Sequence, residues 1–318
     1  MSLIGDGLVS VSSLYTKCLH FVCHHLDILC ENASNKTIGQ QQAKAAKQQK
    51  CQFKDKISNF NHIISQDLLE KLNDLGKLND KTIHLFGNSQ TCLKKFKIKN
   101  VSLSKESIKM ILKQHQLNEI IFNNVSFEPE SSSTSSSITS SSVMTMTELV
   151  DALNEWSFEN LKSLNVARNN DFFYIGATLT NFKKFKHLKA LNVSNTSFSN
   201  QSLDIVTEYL VKLETLDMSV TRVNDLSSLL RIKDSLKQLI MYNMRNSLND
   251  DIIEIICGLE KLQNLDLSCD VSTKIFAEST LSLFDINLFL DQISNAKLKH
   301  LIYLDISGKI PIREETIG

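Results

Sequence analysis

The sequence is short of the residues that turn or break a chain. Only nine glycines and two prolines occur among 318 residues, which disfavours a turn-rich all-β fold and fits an elongated array of short strands and helices. No run approaches the roughly twenty apolar residues that a membrane span needs, and the N-terminus lacks the basic start of a secretory signal. We therefore expect no membrane segment and a cytoplasmic or nuclear protein.

No charge of one sign predominates. Lys plus Arg and Asp plus Glu both number 35, so net charge gives no argument for nucleic acid or an anionic membrane as partner. The seven cysteines are an odd number at irregular spacings. That usage is typical of free thiols in a reducing compartment and not of a disulfide framework.

The motifs of common enzymes are also missing. The sequence contains no phosphate-binding loop, no His-Glu-x-x-His, no Gly-x-Ser-x-Gly and no glycine-rich dinucleotide turn. Cys18, Cys23 and Cys30 lie near three histidines, but no Cys-x-x-Cys pair is present and Cys18 and Cys23 point differently on one helix. We expect packed thiols, no metal, no cofactor and no catalytic residue. An enzyme that uses this cluster would instead bind a metal or carry a thiol of depressed pKa.

A repeated phrase, Leu-x-x-Leu-x-Leu or a close variant, organises most of the chain. Its copies start at Leu93, Leu117, Leu161, Leu188, Leu213, Leu236, Leu262 and Leu301. Most steps between starts are 23 to 27 residues, which is the period of leucine-rich repeats. In an extended segment the second Leu and the residue two positions later point to one side, and neighbouring strands must stack to bury them.

The repeat predicts an α/β leucine-rich-repeat solenoid, with short parallel strands on the concave side and helices on the convex side. Residues 104–112, 202–210 and 250–256 have apolar residues at helical spacing and should cover the back of the sheet. Residues 281–293 predict a longer helix before the last strand. We expect this domain to span residues 76–318, with a disordered Ser-rich insertion at about residues 128–145.

Polar residues recur at the positions that face the concave side. The residue after the second Leu is Asn or Asp in most repeats, and a small residue follows two positions later. In the stacked repeats these two positions would form two polar columns, which Ile240 and Tyr242 interrupt. One interpretation is that these residues bond to neighbouring backbone, and another is that they form a protein-docking strip. The candidate docking residues are Asn192, Asp217, Tyr242, Asp266 and Asp305.

The N-terminal segment, residues 1–75, has a different spacing of apolar residues. Leu14, Cys18 and Val22 repeat every four residues, as on one stripe of an amphipathic helix that Ser13 would cap. Such a stripe is suited to a partner's apolar groove. Ser13, Leu14, Cys18 and Val22 resemble the BC box, the element by which receptors of cullin–RING ubiquitin ligases bind Elongin C.

A second short segment resembles the cullin box of cullin-2 receptors. Ile64, Leu68 and Leu69 stand at its apolar positions and are candidate cullin contacts, but Ser65 stands where the box has Pro.

The BC-like box, a helical stretch and the strands "LNVSNT", "LDMSVT", "LDLS" and "YLDISGK" together resemble the Zyg eleven/Zer-1 family over nearly the whole chain. The resemblance implies a non-catalytic substrate receptor of a cullin-2 RING ubiquitin ligase, with Elongin C, Elongin B, cullin-2 with its RING subunit and protein substrates as partners. Members normally continue into armadillo-like repeats, so the chain would be a fragment or a short homologue.

A free-standing leucine-rich-repeat scaffold is the alternative. The N-terminal helix would then serve only as a cap of the solenoid, with the stripe of Leu14, Cys18 and Val22 buried against the first repeats.

Overall fold

The computed structural model describes residues 11–32, 51–54, 59–127, 144–173, 179–244, 250–270, 286–295 and 298–308. Within these residues the strands are β1 (Cys30–Asn32), β2 (Cys51–Phe53), β3 (Lys95–Leu103), β4 (Glu119–Phe127), β5 (Ser163–Asn165), β6 (Ala190–Asn192), β7 (Thr215–Asp217), β8 (Gln238–Ile240), β9 (Asn264–Asp266) and β10 (Tyr303–Asp305). The helices are α1 (Val11–His24), α2 (Leu26–Leu29), α3 (His62–Asp74), α4 (Lys105–Gln114), α5 (Met146–Asp151), α6 (Glu155–Asn160), α7 (Asn200–Tyr209), α8 (Asp250–Cys257) and α9 (Ile286–Asn295).

Eight strands form one parallel sheet in sequence order from β3 to β10. The register brings the second Leu of successive repeats side by side, so that Leu164 pairs with Leu191 and Leu191 with Leu216. These leucines are at most 1% exposed. The predicted leucine-rich-repeat solenoid is thereby confirmed.

The segments that connect the strands are helical, as their apolar spacing predicts. Helices α4, α7 and α8 occupy the three predicted stretches, and the Ser104 hydroxyl caps α4 by accepting the Ser107 amide at 3.2 Å. Shorter connections instead form 3-10 helices at Leu179–Lys184 and Ser227–Ile232. The predicted long helix before the last strand is seen as α9, and residues 281–285 lie outside the described residues.

One buried cluster runs from the N-terminal segment into the repeats, and it includes Cys23, Leu72, Phe96, Leu216 and Phe289. The helices of the predicted N-terminal segment therefore share their core with the first repeats. Most of the predicted Ser-rich insertion, residues 128–143, lies outside the described residues. Its predicted disorder and the boundary near residue 75 stay predictions.

None of the described helices is both long and apolar enough to cross a membrane.

Candidate partner-binding surfaces

Helix α1 is held to the rest of the chain by one of its two apolar sides. Cys23 is 1% exposed, and Leu19 and Val22 of α1, together with Leu26 of α2, pack half-buried against the core. Helix α3 lies under this side. The Lys77 ammonium donates to the carbonyl oxygen of Cys23 at 3.1 Å, and this contact fixes the C-terminal end of α1.

A second contact fixes the N-terminal half of α1. The Tyr15 hydroxyl donates to Asp67 Oδ2 of α3 at 2.7 Å. Partial burial, and then the hydrogen bond to the Asp67 carboxylate, raise the pKa of Tyr15 to about 12. The hydroxyl therefore stays protonated at neutral pH. Sequence patterning did not reveal this pair, because 52 residues separate its members.

The other side of α1 presents apolar side chains to solvent. Leu14 is 58% exposed and Phe21 is 56% exposed, and the Cys18 thiol is exposed as well. Val22 lies at the edge of this side and is half-buried. Of the four residues of the BC-like box, Leu14 and Cys18 are thus accessible, and Val22 is shared with the core.

The expectation that Ser13 caps this helix is wrong. Helix α1 already includes Val11, so Ser13 lies inside the helix and not at its cap. The physical reason is local, because no glycine or proline between Val11 and Ser13 stops the helix from extending towards the N-terminus.

The candidate cullin contacts lie on α3 and differ in exposure. Leu68 is 1% exposed and Leu69 is 0% exposed, so both belong to the core and cannot contact another protein in this conformation. Ile64 is half-buried, while the neighbouring Ile63 is 57% exposed. The accessible apolar surface of this segment therefore consists of Ile63 and the edge of Ile64.

The structure also explains the serine that replaces proline in this segment. Ser65 is 0% exposed, and its amide donates to the carbonyl oxygen of Asn61 at 3.0 Å. Its hydroxyl oxygen accepts the Cys92 amide at 3.0 Å. A proline here would lack both the amide proton and the hydroxyl, so Ser65 joins α3 to the segment that enters β3.

The cysteines and histidines of α1 do not form a metal-binding group. Among the residues that the structure describes, no three His, Cys, Asp or Glu side chains are grouped closely enough to hold a metal ion. Burial raises the pKa of the Cys23 thiol, although Lys71 and Lys77 oppose the shift. A raised pKa disfavours the reactive thiolate.

On the concave side, the polar columns close the turn that follows each strand. In five repeats, Oδ1 of the Asn or Asp accepts the backbone amide two residues later at 2.9 or 3.0 Å. The pairs are Asn165 with Ala167, Asn192 with Ser194, Asp217 with Ser219, Asp266 with Ser268, and Asp305 with Ser307. This is an Asx turn repeated along the solenoid, and it supports the interpretation that the columns bond to neighbouring backbone.

Strand β8 departs from this rule. The side chain of Ile240 has no oxygen that could accept a hydrogen bond. The Tyr242 amide instead donates to the hydroxyl oxygen of Ser219 in the preceding repeat at 3.1 Å. Tyr242 is 38% exposed. Of the five candidate docking residues, Tyr242 is therefore the one that the Asx turns do not use.

A family model described as Zer-1-like leucine-rich repeats matches residues 204–311. Similar curated proteins include the protein zer-1 homologs of Homo sapiens and Pongo abelii, each 33% identical over 137 residues, which are 43% of this chain and 17% of the relative. The Mus musculus homolog is 31% identical over 146 residues, which are 43% of this chain and 18% of the relative. The match thus spans less than a fifth of these relatives. The predicted resemblance to the Zer-1 family is confirmed for the matched part of the chain, and its extension over nearly the whole chain stays a prediction.

Similar solved structures include an internalin from Listeria monocytogenes, with a TM-score of 0.42 and 16% identity over 75% of this chain and 57% of the other. The yeast Rad7 and Elc1 complex gives a TM-score of 0.41 and 15% identity over 94% of this chain and 71% of the other.

Proposed function

The chain carries leucine-rich repeats of the Zer-1-like type, and from this premise we propose that it is the substrate-recognition subunit of a cullin-2 RING ubiquitin ligase. Helix α1 binds Elongin C, which brings Elongin B, and the repeats bind protein substrates. The chain supplies proximity between substrate and ligase, and its partners supply the reacting groups.

The observation that carries the proposal is the exposure of Leu14 and Cys18 on a helix whose other side is fixed. A helix held by Tyr15 and Cys23 cannot turn its exposed apolar stripe into the chain's own core. A partner's groove is therefore the way to bury these side chains. Because Leu14 is 58% exposed, its complete burial would contribute about 1–2 kcal/mol.

Cullin-2 contact is the less specific part of the proposal. Since Leu68 and Leu69 are buried, the contact would use Ile63 and the edge of Ile64, together with the surface of the bound Elongin C.

A free-standing scaffold remains the second candidate, because Val22 and Cys23 pack on the core as a cap would. The two candidates differ in what they require of Leu14 and Cys18. The cap expected from the sequence would bury Leu14 and Cys18 against the first repeats, but both are exposed. Only a cap that uses the side of Val22 and Cys23 alone fits the structure, and it needs neither Leu14 nor Cys18, whereas an Elongin C site needs both.

The test is co-purification of the full chain with Elongin B and Elongin C. Leu14→Ala combined with Cys18→Phe should weaken capture at least tenfold, because about 1.4 kcal/mol corresponds to a factor of ten and the added ring obstructs the groove. Both side chains are exposed, so the melting temperature should stay unchanged.

Val211→Ala is the matched control, because Val211 is 57% exposed but lies in the repeats, after α7. It should leave capture intact. Equal capture by the wild-type chain and the Leu14 and Cys18 double variant would contradict the proposal and favour the scaffold.

A further inference from the structure

Three neighbouring positions at the C-terminal ends of β7 and β8 break the pattern of the repeats. Ile240 stands where the five Asx-turn repeats have Asn or Asp, and Tyr242 stands where they have Ser or Ala. Val220 is the third. It occupies a turn position of left-handed backbone, which four other repeats fill with Arg168 (φ 61°), Asn195 (φ 53°), Asn243 (φ 55°) and Gly308 (φ 77°).

These three residues lie side by side and form what we call the β8 patch: Val220, Ile240 and Tyr242. The Val220 amide donates to the carbonyl oxygen of Tyr242 at 3.0 Å. Val220 is 41% exposed and Tyr242 is 38% exposed, and Ile240 is half-buried. Val220 and Tyr242 are therefore adjacent along the backbone, and all three side chains are at least partly exposed at the C-terminal ends of β7 and β8.

The turns of the repeats close without side chains of this kind. An Asn at the position of Ile240 would close the turn as Asn192 does, by accepting the amide two residues on. Val220 is β-branched and has φ of 54°, a backbone conformation that such residues adopt at a cost in free energy. Departures from a local rule without a structural gain are expected at functional positions.

Carboxylates flank the β8 patch. The register places Ile240 between Asp217 of β7 and Asp266 of β9, and Asp305 of β10 lies one strand further. Among the described residues, the acceptor oxygens of Asp217 and Asp266 bond to neutral donors, which are the Ser and Asn groups of the turns.

Other carboxylates near the sheet are paired with cations. Glu214 binds both Lys189 at 2.5 Å and Lys237 at 2.7 Å. At the opposite end of the sheet, Glu119 binds Lys95 at 2.7 Å. By contrast, no ion pair involves Asp217, Asp266 or Asp305 within the described part of the chain. Within the described residues, the charges of Asp217, Asp266 and Asp305 are therefore not neutralised by an ion pair and can attract a cationic partner.

We propose that the β8 patch docks a peptide segment in which one large apolar side chain is flanked on both sides by Lys or Arg. The apolar side chain covers Ile240 and Tyr242, and the cations reach Asp217 and Asp266. These two aspartates are two strand steps apart, or about 10 Å. Cations two residues to either side of the apolar residue span this distance, because an extended chain advances about 3.3 Å per residue.

This inference rests on the proposed role of the repeats as a protein-binding surface, and it is independent of Elongin C. A fluorescein-labelled peptide Arg-Gly-Phe-Gly-Arg is titrated with the full chain, and fluorescence anisotropy is measured. The matched peptides Glu-Gly-Phe-Gly-Glu and Arg-Gly-Gly-Gly-Arg test the charge and the apolar residue separately. Each should bind at least tenfold more weakly than the first peptide.

The matched protein variant restores the pattern of the repeats. Ile240→Asn with Tyr242→Ser recreates the pair found at Asn192 and Ser194, so the turn is retained and the melting temperature should not fall. Its affinity for the Arg-Gly-Phe-Gly-Arg peptide should drop at least tenfold. Elongin capture by the same variant should be unchanged, which separates the failure of this inference from the failure of the α1 proposal.

A second variant tests the carboxylates. Asp217→Asn with Asp266→Asn keeps an oxygen for each turn, as Asn165 shows at 3.0 Å, but removes two charges. It should lower the affinity for the basic peptide and reduce the dependence of that affinity on salt. Equal binding of all three peptides to the wild-type chain, or unchanged affinity in the Ile240 and Tyr242 variant, would overturn the inference.

Discussion

His115 joins three segments at the N-terminal end of the solenoid, and its replacement gives a sharp test of how that end is held. The side chain is 3% exposed. Its Nε2 donates to the carbonyl oxygen of Phe86 at 2.6 Å, and its Nδ1 accepts the Leu93 amide at 3.2 Å. One imidazole therefore connects the end of α4, a 3-10 helix (Thr82–Phe86) and the entry to β3.

His115→Phe keeps a planar ring of similar size and removes both bonds. The buried Leu93 amide and Phe86 carbonyl oxygen would each lose a partner, at about 1–3 kcal/mol each, so we expect a loss of about 2–6 kcal/mol in the free energy of unfolding. That is a large part of the roughly 5–15 kcal/mol by which domains are stable.

The same geometry sets a pH dependence. The two bonds require a neutral ring with its proton on Nε2, and burial lowers the pKa of His115 although the bond to Phe86 opposes this. The unfolded chain has an ordinary His pKa of about 6.5, so it binds more protons than the folded chain below that pH. The contribution is therefore complete above about pH 6.5 and is lost as the pH falls towards the lowered pKa of the folded state.

Urea unfolding measures both effects, and Trp156, the only tryptophan of the chain, provides the fluorescence signal. The wild-type chain should lose stability between pH 7 and pH 5.5 by more than His115→Phe does, because the variant lacks this titrating group. His187→Gln is the control, since His187 is exposed, and it should behave as wild type. A loss below 1 kcal/mol at pH 7, or equal pH dependence in wild type and His115→Phe, would refute the argument.

Two further substitutions test other parts of the fold. Gly308→Ala should destabilise the β9–β10 end by about 1–3 kcal/mol, because φ is +77° and the new Cβ would lie 2.1 Å from the Cys269 carbonyl oxygen. The measurement is hydrogen exchange, which should become faster in β10. Gly76→Ala is the control and should cost less, because Gly76 has φ of +64° but open space around it. Asn169→Ala should cost about 2–4 kcal/mol in urea unfolding, since buried Asn169 accepts the Val125 amide at 2.8 Å and donates to the Phe122 carbonyl oxygen at 2.9 Å. Asn160→Ala, which loses one bond within its own helix, should cost under about 1 kcal/mol, and an equal cost would count against the explanation.

The strands could be predicted from the sequence because the same pattern of apolar residues that must be buried recurs in every repeat. Each Leu-x-x-Leu-x-Leu phrase must bury the same two side chains, and the register of Leu191, Leu216 and Leu239 follows from stacking them. The connections were less predictable. A stretch such as residues 227–232 forms a 3-10 helix, and its few apolar residues suit several short helical geometries equally well.

Hydrogen bonds between distant residues could not be derived from patterning. The Ser219 hydroxyl accepts the Tyr242 amide from the next repeat. This hydrogen bond replaces the one that an Asn or Asp side chain accepts in the other repeats. Spacing shows where Ile240 interrupts the column but does not show which neighbour replaces the missing oxygen.

Amphipathic spacing also did not show which apolar residues of α1 and α3 are buried and which are exposed. Leu14, Cys18 and Val22 fall on one stripe, yet the fold buries the edge near Val22 and leaves Leu14 exposed. On α3, Leu68 and Leu69 match a contact motif and are core residues. The outcome depends on which element packs on each helix, and that is settled by contacts such as Tyr15 with Asp67 across 52 residues.

The two proposed surfaces are connected by continuous packing, which bears on how a subunit of this kind would work. Helix α1 packs on α3, and the Asn73 side chain of α3 both donates to and accepts from the Lys99 backbone of β3, at 2.9 and 2.8 Å. From β3 the buried cluster continues through every repeat to Phe289 of α9. The β8 patch lies five strand steps from β3, or about 24 Å. A partner held by α1 is therefore kept at a fixed distance from a peptide held at the β8 patch, as a receptor that acts through proximity requires.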